Sequence, residues 1–392
     1  MGRLHCSLPG ASAPLSKVLG VCPRVRQNWR RVAKPRGICQ NRARCIPRVD
    51  RYLPTSHDTL SDVLRTVRLR SAVYYFVSCG GKWAAEAPAS GDIADAVMPG
   101  AEHVIEYHVV TAGECWAAIV GEPPLRLRRG DILILPHGDA HVVSSAPGMR
   151  ADPQVSWYYE MKRRQRPFRV AYEGTVATVD SEDGGVDAVA GDRATTTLVC
   201  GFIGCDLRPF NPLIATLPRM LHLPAIEDSG WNEPFLRLAV TESQARGPGS
   251  EALLERMSEM MFVDAVRRHV DTLPDQSTGW LAGLRDRFVG RALALMHAQP
   301  AAAWTIDDLS HQIGLSRSAL HERFVALVGQ APMQYLTSWR MQLAARQLRN
   351  TQSSVASIAL EVGYDSEAAF ARAFKRIVGT PPATWRRLQR NS

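Results

Sequence analysis

Through the last quarter of the chain, apolar residues recur at steps of three and four, and the same arrangement is written twice. Ile306, Leu309 and Ile313 run up to Gly314 in the first copy; Val355, Ile358 and Val362 run up to Gly363 in the second. Past the turn, Leu320, Phe324 and Pro332 correspond to Phe370, Phe374 and Pro382. Each copy predicts two short helices packed steeply about a glycine turn, with Ser316 and either Asp365 or Ser366 as N-caps of the second helix. Residues 333–348 read as one continuous helix that holds the two units at a fixed separation.

Upstream the period changes to that of strands. Residues 73–77, 104–110, 115–120, 125–127, 132–135 and 196–203 are short, β-branched or aromatic, and separated by Gly, Pro and Asp, which predicts a small antiparallel barrel or sandwich. An amphipathic helix over 60–67 precedes them, and helices over 212–217, 231–242 and 250–270 follow. Residues 145–193 read as a mobile polar insertion with one helix near 157–162, and residues 279–284 as a hinge. The expected class is α+β. Its parts are a basic, disordered extension (1–55), a β-barrel domain (56–210), a helical connector and dimerisation segment (211–280) and an all-α domain (281–392).

Charge sharpens this division. Residues 1–51 carry 12 Lys and Arg against one acid, residues 52–280 carry 21 against 30, and residues 281–392 carry 14 against 7. An acidic middle beside a basic C-terminal part suits a sensor joined to a nucleic-acid binder. The Arg-rich, acid-poor extension also suits a transit peptide, and a start near Val49 would remove it. No apolar run approaches the roughly 18 residues of a spanning helix. Of the eight cysteines, none forms a C-x2-C pair, and with no secretory signal they are expected as reduced thiols in the cytoplasm.

Residues 285–388 closely resemble the DNA-binding domain of the AraC/XylS family of bacterial transcription regulators. The resemblance is most specific from Gly363-Tyr364-Asp365-Ser366 through Phe370 and Phe374 to Gly379-Thr380-Pro381-Pro382. It implies that Ser316, Arg317, Ser318, His321 and Glu322 of one helix, and Ser366, Glu367, Ala368 and Arg372 of the other, face double-stranded DNA. Arg323, Lys375 and Arg376 are the phosphate candidates. A homodimer, RNA polymerase and a small-molecule effector are the further expected partners.

The spacing G-x5-P-x-G-x2-H from Gly130 to His141 resembles the second motif of cupins, jelly-roll barrels whose motif histidines often hold a metal. Glu106-x-His108, Glu114 and Gly121 resemble the first motif in part, with Glu106 where a histidine is usual. By that resemblance His108, Glu114 and His141 would converge on a divalent metal. Cys115, Cys200 and Cys205 offer a redox signal instead. The alternative to a regulator is a metal-dependent cupin enzyme with a DNA-binding appendage. No nucleophile–base constellation, phosphate loop or paired acid site supports it.

Overall fold

The computed structural model describes residues 57–162, 167–179, 194–225, 232–245 and 247–390. The basic extension 1–55, the Arg-rich run 163–166 and the acidic run 180–193 lie outside the described residues. The sheet domain comprises α1 (Thr59–Thr66), β1 (Arg70–Ala87), α2 (Ser90–Val97), β2 (His103–Ala112), β3 (Glu114–Ile119), β4 (Leu125–Arg128), β5 (Ile132–Leu135), β6 (His141–Ser144), α3 (Val155–Met161), β7 (Phe168–Gly174), β8 (Val176–Val179), β9 (Ala194–Cys205) and β10 (Leu221–Leu223). The helices that follow are α4 (Asn232–Ala245), α5 (Ser250–Thr272), α6 (Trp280–Arg285), α7 (Val289–Ala298), α8 (Ile306–Ile313), α9 (Arg317–Val328), α10 (Pro332–Asn350), α11 (Val355–Glu361), α12 (Glu367–Val378) and α13 (Pro382–Arg390).

The strands form one curled sheet in the order β10-β5-β2-β9-β1-β6-β3-β4. β1 joins its two halves: it pairs antiparallel with β9 along Arg70 to Gly80 and then with β6 along Ala84 to Ala87. Alternation along β2 decides what each face receives. Ile105, Tyr107 and Val109 pack outward against the helices, whereas Glu106 and His108 turn into the curl.

Three expectations are corrected. Residues 167–179 of the expected mobile insertion form a hairpin whose β7 runs parallel to β1, with Phe168 opposite Tyr75 and Val170 opposite Val77. Phe168 and Val170 are buried, so the alternation of this stretch finds a sheet to lie on. The expected helix 212–217 shrinks to a single 3-10 turn, Ile214–Thr216. There the Asn211 side-chain oxygen accepts from the backbone N–H groups of Leu213 and Ile214, and Pro218 prevents continuation. The expected hinge is a packed helix, because Trp280 is 1% exposed and its Nε1–H donates to Tyr335 Oη at 2.9 Å.

Both helix-turn-helix units form as the repeat predicts. Thr305 closes a capping box with Asp308 on α8, and Ser316, Ser354 and Ser366 cap α9, α11 and α12. Pro332 starts the connecting helix α10 at a position where no N–H is needed. The cores of the two units differ. Leu309, Ile313, Leu320 and Phe324 of the first belong to the same buried cluster as Ile105, Tyr107 and Phe262 of the sheet domain and α5. Ile358, Val362, Phe370 and Phe374 of the second form a separate cluster closed by Met341, Leu348 and Trp385.

Candidate effector pocket and nucleic-acid interface

The curl encloses a pocket with about 520 Å³ of atom-free space, part of it open to solvent. Its walls are mainly aromatic and aliphatic, with Tyr75, Trp83, Trp157, Tyr158 and Tyr172 among the lining residues. Glu106, His108 and His141 stand at its polar end and are all buried. Glu106 and His108 are two apart on β2 and so share a face; His141 opens β6. Their donor atoms all lie within 4.8 Å of one another. His108 Nε2 and His141 Nε2 are 2.6 Å apart, with Glu106 Oε1 at 4.0 and 3.9 Å from them.

Hydrogen bonds fix how this cluster is protonated. His141 Nδ1 donates to the Asp139 carbonyl at 2.9 Å, leaving Nε2 a bare lone pair. Two lone pairs cannot face each other at 2.6 Å, so His108 Nε2 carries the proton between them. His108 Nδ1 is then an acceptor, and the Cys200 thiol at 3.0 Å donates to it. Burial pushes the Cys200 thiol well above its usual range, which keeps that proton in place. Burial also pushes His141 down to about 4, holds His108 well below the histidine range and raises Glu106 to about 8. Glu106 Oε2 has no hydrogen-bond partner among the described residues. Glu86, at the rim, is held below the usual carboxylate range by Arg150, whose Nε and Nη2 donate at 2.7 and 2.5 Å.

The set expected for a metal changes by one member. Glu114 follows the Gly113 turn, opens β3 on its outward face, and both of its carboxylate oxygens accept from Arg126 Nη2 at 2.6 Å. Its place is taken by Glu106, the residue standing where the cupin motif usually has a histidine. Two imidazole nitrogens and one carboxylate oxygen fit a divalent transition metal. The orphaned Glu106 oxygen and the crowded Nε2 pair are what a bound cation would relieve.

The redox expectation meets the opposite chemistry. Cys115, Cys200 and Cys205 are all buried, and burial pushes Cys115 and Cys205 up to about 12. None has the thiolate or the access that a thiol sensor requires.

On the helical side, α9 exposes Arg317, Ser318, His321, Glu322 and Arg323; α12 exposes Glu367, Ala368, Arg372, Lys375 and Arg376. Ser316 and Ser366 are exposed and spend their hydroxyls on the backbone N–H groups of Ala319 and Ala369. Arg323 does not stand free for phosphate. Its guanidinium forks onto Asp286, with Nη2 at 2.5 Å and Nε at 2.9 Å from Oδ2, which ties α9 to the segment before α7. Arg317 Nε lies 3.1 Å from Asp307 Oδ1 on α8.

Sequence reasoning missed the contacts that join the two domains. Arg349, near the end of α10, pairs with Asp206, which follows β9 directly and lies six residues beyond Cys200 of the pocket. Arg68 adds a second cation at 3.6 Å from Asp206, and Gln342 Oε1 accepts from the Phe210 N–H at 3.0 Å. His297 of α7 lies 3.5 Å from Asp62 of α1, contacts Tyr335 Oη at 2.8 Å and stacks on Trp339.

The family described as Cupin matches residues 58–271, and the one described as Helix-turn-helix domain matches residues 309–388. An AraC-like transcription regulator of Streptomyces lividans is 33% identical over 332 residues, which are 84% of this chain and 98% of its own. The HTH-type transcriptional regulator AlkR of Acinetobacter baylyi is 28% identical over 334 residues, 84% of this chain and 99% of its own. The solved DNA-binding domain of AdpA, in complex with a target DNA, is 28% identical over 27% of this chain and 95% of that one, with a TM-score of 0.26.

Proposed function

Because the chain belongs to the AraC-type family of DNA-binding transcription regulators with a cupin N-terminal domain, we propose that its pocket binds a small effector that governs how α9 and α12 read DNA. The observation that carries this reading is the path from pocket to DNA-binding domain. β9 contributes Leu198 and Cys200 to the pocket wall and is followed directly by Asp206, which holds Arg349 of the helix joining the two units. A ligand that shifts β9 therefore acts on the geometry of both reading helices.

The walls suit a largely apolar, ring-sized molecule whose polar group reaches Glu106, His108 and His141. A divalent metal held by those three side chains would supply a coordination site for that group. At the DNA, Arg317, Ser318, His321 and Glu322 address bases from α9, and Glu367, Ala368 and Arg372 from α12. Lys375 and Arg376 meet phosphates, and Ser316 and Ser366 present helix N-termini to the backbone. The reading includes action in the cytoplasm, RNA polymerase as a further partner, and a homodimer formed across α5, where Leu253 and Met260 stand exposed. The relatives are named as regulators, and this chain is a regulator rather than an enzyme.

Blocking the pocket tests the proposal. Val143→Trp, set against the milder Glu106→Gln, is expected to leave DNA binding intact while a promoter reporter in the native host loses its response to growth conditions. A reporter that responds like wild type in both variants would remove the pocket from regulation.

A further inference from the structure

Arg340 lies midway along α10, the helix that joins the two units, and each of its guanidinium nitrogens donates to a backbone carbonyl in the segments on either side. Nε donates to Pro300 O at 2.7 Å and Nη2 to Ala302 O at 2.7 Å, both in the loop that leads into α8. Nη1 donates to Gly363 O at 3.3 Å, in the turn of the second unit. The planar fork also lies over the Tyr364 ring at 6.0 Å. One side chain therefore bridges the entry of the first unit and the turn of the second.

The two turn glycines show the same junction from the backbone side. Gly314 and Gly363 occupy equivalent places and have similar left-handed φ values of +76° and +84°. A Cβ on Gly314 would meet nothing within 4 Å, whereas a Cβ on Gly363 would lie 2.6 Å from the Ala301 carbonyl oxygen. The second unit's turn is thus seated directly on the first unit's lead-in loop, with Arg340 stapling the two. The first unit's turn touches nothing comparable.

We propose that Arg340, with the close seating of Gly363 on Ala301, is a positioning device that sets the distance and angle between α9 and α12, and so the spacing of the two DNA half-sites this protein accepts. The inference rests on the reading of α9 and α12 as DNA readers. Two helices entering successive major grooves are about 34 Å apart, and a small rotation of one unit moves its helix off the groove. A single helix such as α10 fixes the separation but leaves rotation about its end to side contacts, and this staple supplies them.

The full chain is selected against random double-stranded DNA, and affinities are then measured on the selected site with the half-sites moved apart or together by single base pairs. Wild type is expected to lose roughly tenfold in affinity for each misplaced base pair, of the order of one base mismatch. Arg340→Ala is expected to recover the same two half-site sequences with that preference collapsed to within roughly threefold, and Arg340→Lys to fall between. The glycines form the second arm, which stands even where Arg340→Ala fails to fold. Gly314→Ala and Gly363→Ala impose the same backbone strain, but only Gly363→Ala wedges the units apart, so only it should lose spacing preference. A bipartite wild-type site whose spacing preference survives in Arg340→Ala or Gly363→Ala overturns the staple alone. A wild type that selects one undivided motif overturns the staple and the two-helix reading together.

Discussion

The two helix-turn-helix units share a sequence pattern and differ in what they are packed into. Leu309, Leu320 and Phe324 of the first lie in a core continuous with the sheet domain; Ile358, Phe370 and Phe374 of the second close on themselves and Trp385. His297 and Tyr335 bind the first unit's surroundings to Asp62 of α1, while the second unit is reached through α10, Arg340 and Arg349. A repeat in sequence is therefore not a repeat in mechanics. The first unit is built into the sheet half, and the second is carried by the connecting helix.

The largest expected effect breaks that contrast in the core. Phe324 and Phe374 are both fully buried, and replacing either with Ala should cost about 3–5 kcal/mol. Phe324→Ala is expected to lower the melting of the whole chain, because its core runs into the sheet. Phe374→Ala should split off an early transition confined to the last helices. Calorimetry showing one shared transition in both variants would equate the two units.

Next comes the ion pair between the domains. Asp206 is buried and Arg349 half-buried, and Arg349→Ala would leave the carboxylate, among the described residues, with Arg68 at 3.6 Å, at a cost below the ~3–5 kcal/mol of breaking a fully buried pair. Hydrogen exchange should quicken in α10 and α11 and stay unchanged in α8, so uniform exchange across all three would contradict the proposed path.

At the DNA, Arg372→Ala should lose about 1–3 kcal/mol of affinity with no change in melting temperature. Arg323→Ala should do the reverse, lowering stability more than DNA affinity, because its partner is Asp286. Titrations on the selected site, together with thermal melts, separate these outcomes.

The smallest effect is one of pH. Burial holds the His297 pKa below its ordinary value of 6.5, an effect that Asp62 partly opposes. The folded state thus binds fewer protons than the unfolded chain below that value, and stability falls as pH drops through 6.5 toward the folded pKa. His297→Gln should flatten the decline of melting temperature from about pH 7.5 to about pH 5. An unchanged slope would mean that this contact does not titrate.

The helical units were legible because their period, caps and turn glycines are local. Gly314 and Gly363 set their turns and Ser316 and Ser366 cap their helices within a few residues, and all take the places the pattern gives them. The pocket was legible in part. His108 and His141 follow from the motif, but the third member needed strand alternation: Glu106 shares a face with His108, whereas the Gly113 turn sends Glu114 outward. The hairpin at 168–179 was hidden by the charged runs flanking it, although Phe168, Val170 and Tyr172 already alternate. Asp206 with Arg349 and Asp286 with Arg323 were out of reach, since pairs 143 and 37 residues apart leave no periodic trace.

The claim that two unlike units of one chain read DNA together is tested most directly by hydroxyl-radical footprinting of the full protein on its selected site. Two protected patches are expected on one face, about one helical turn apart. Arg372→Ala should erase one patch and His321→Ala the other. A single patch in the wild type, or both patches vanishing together in either variant, would contradict it.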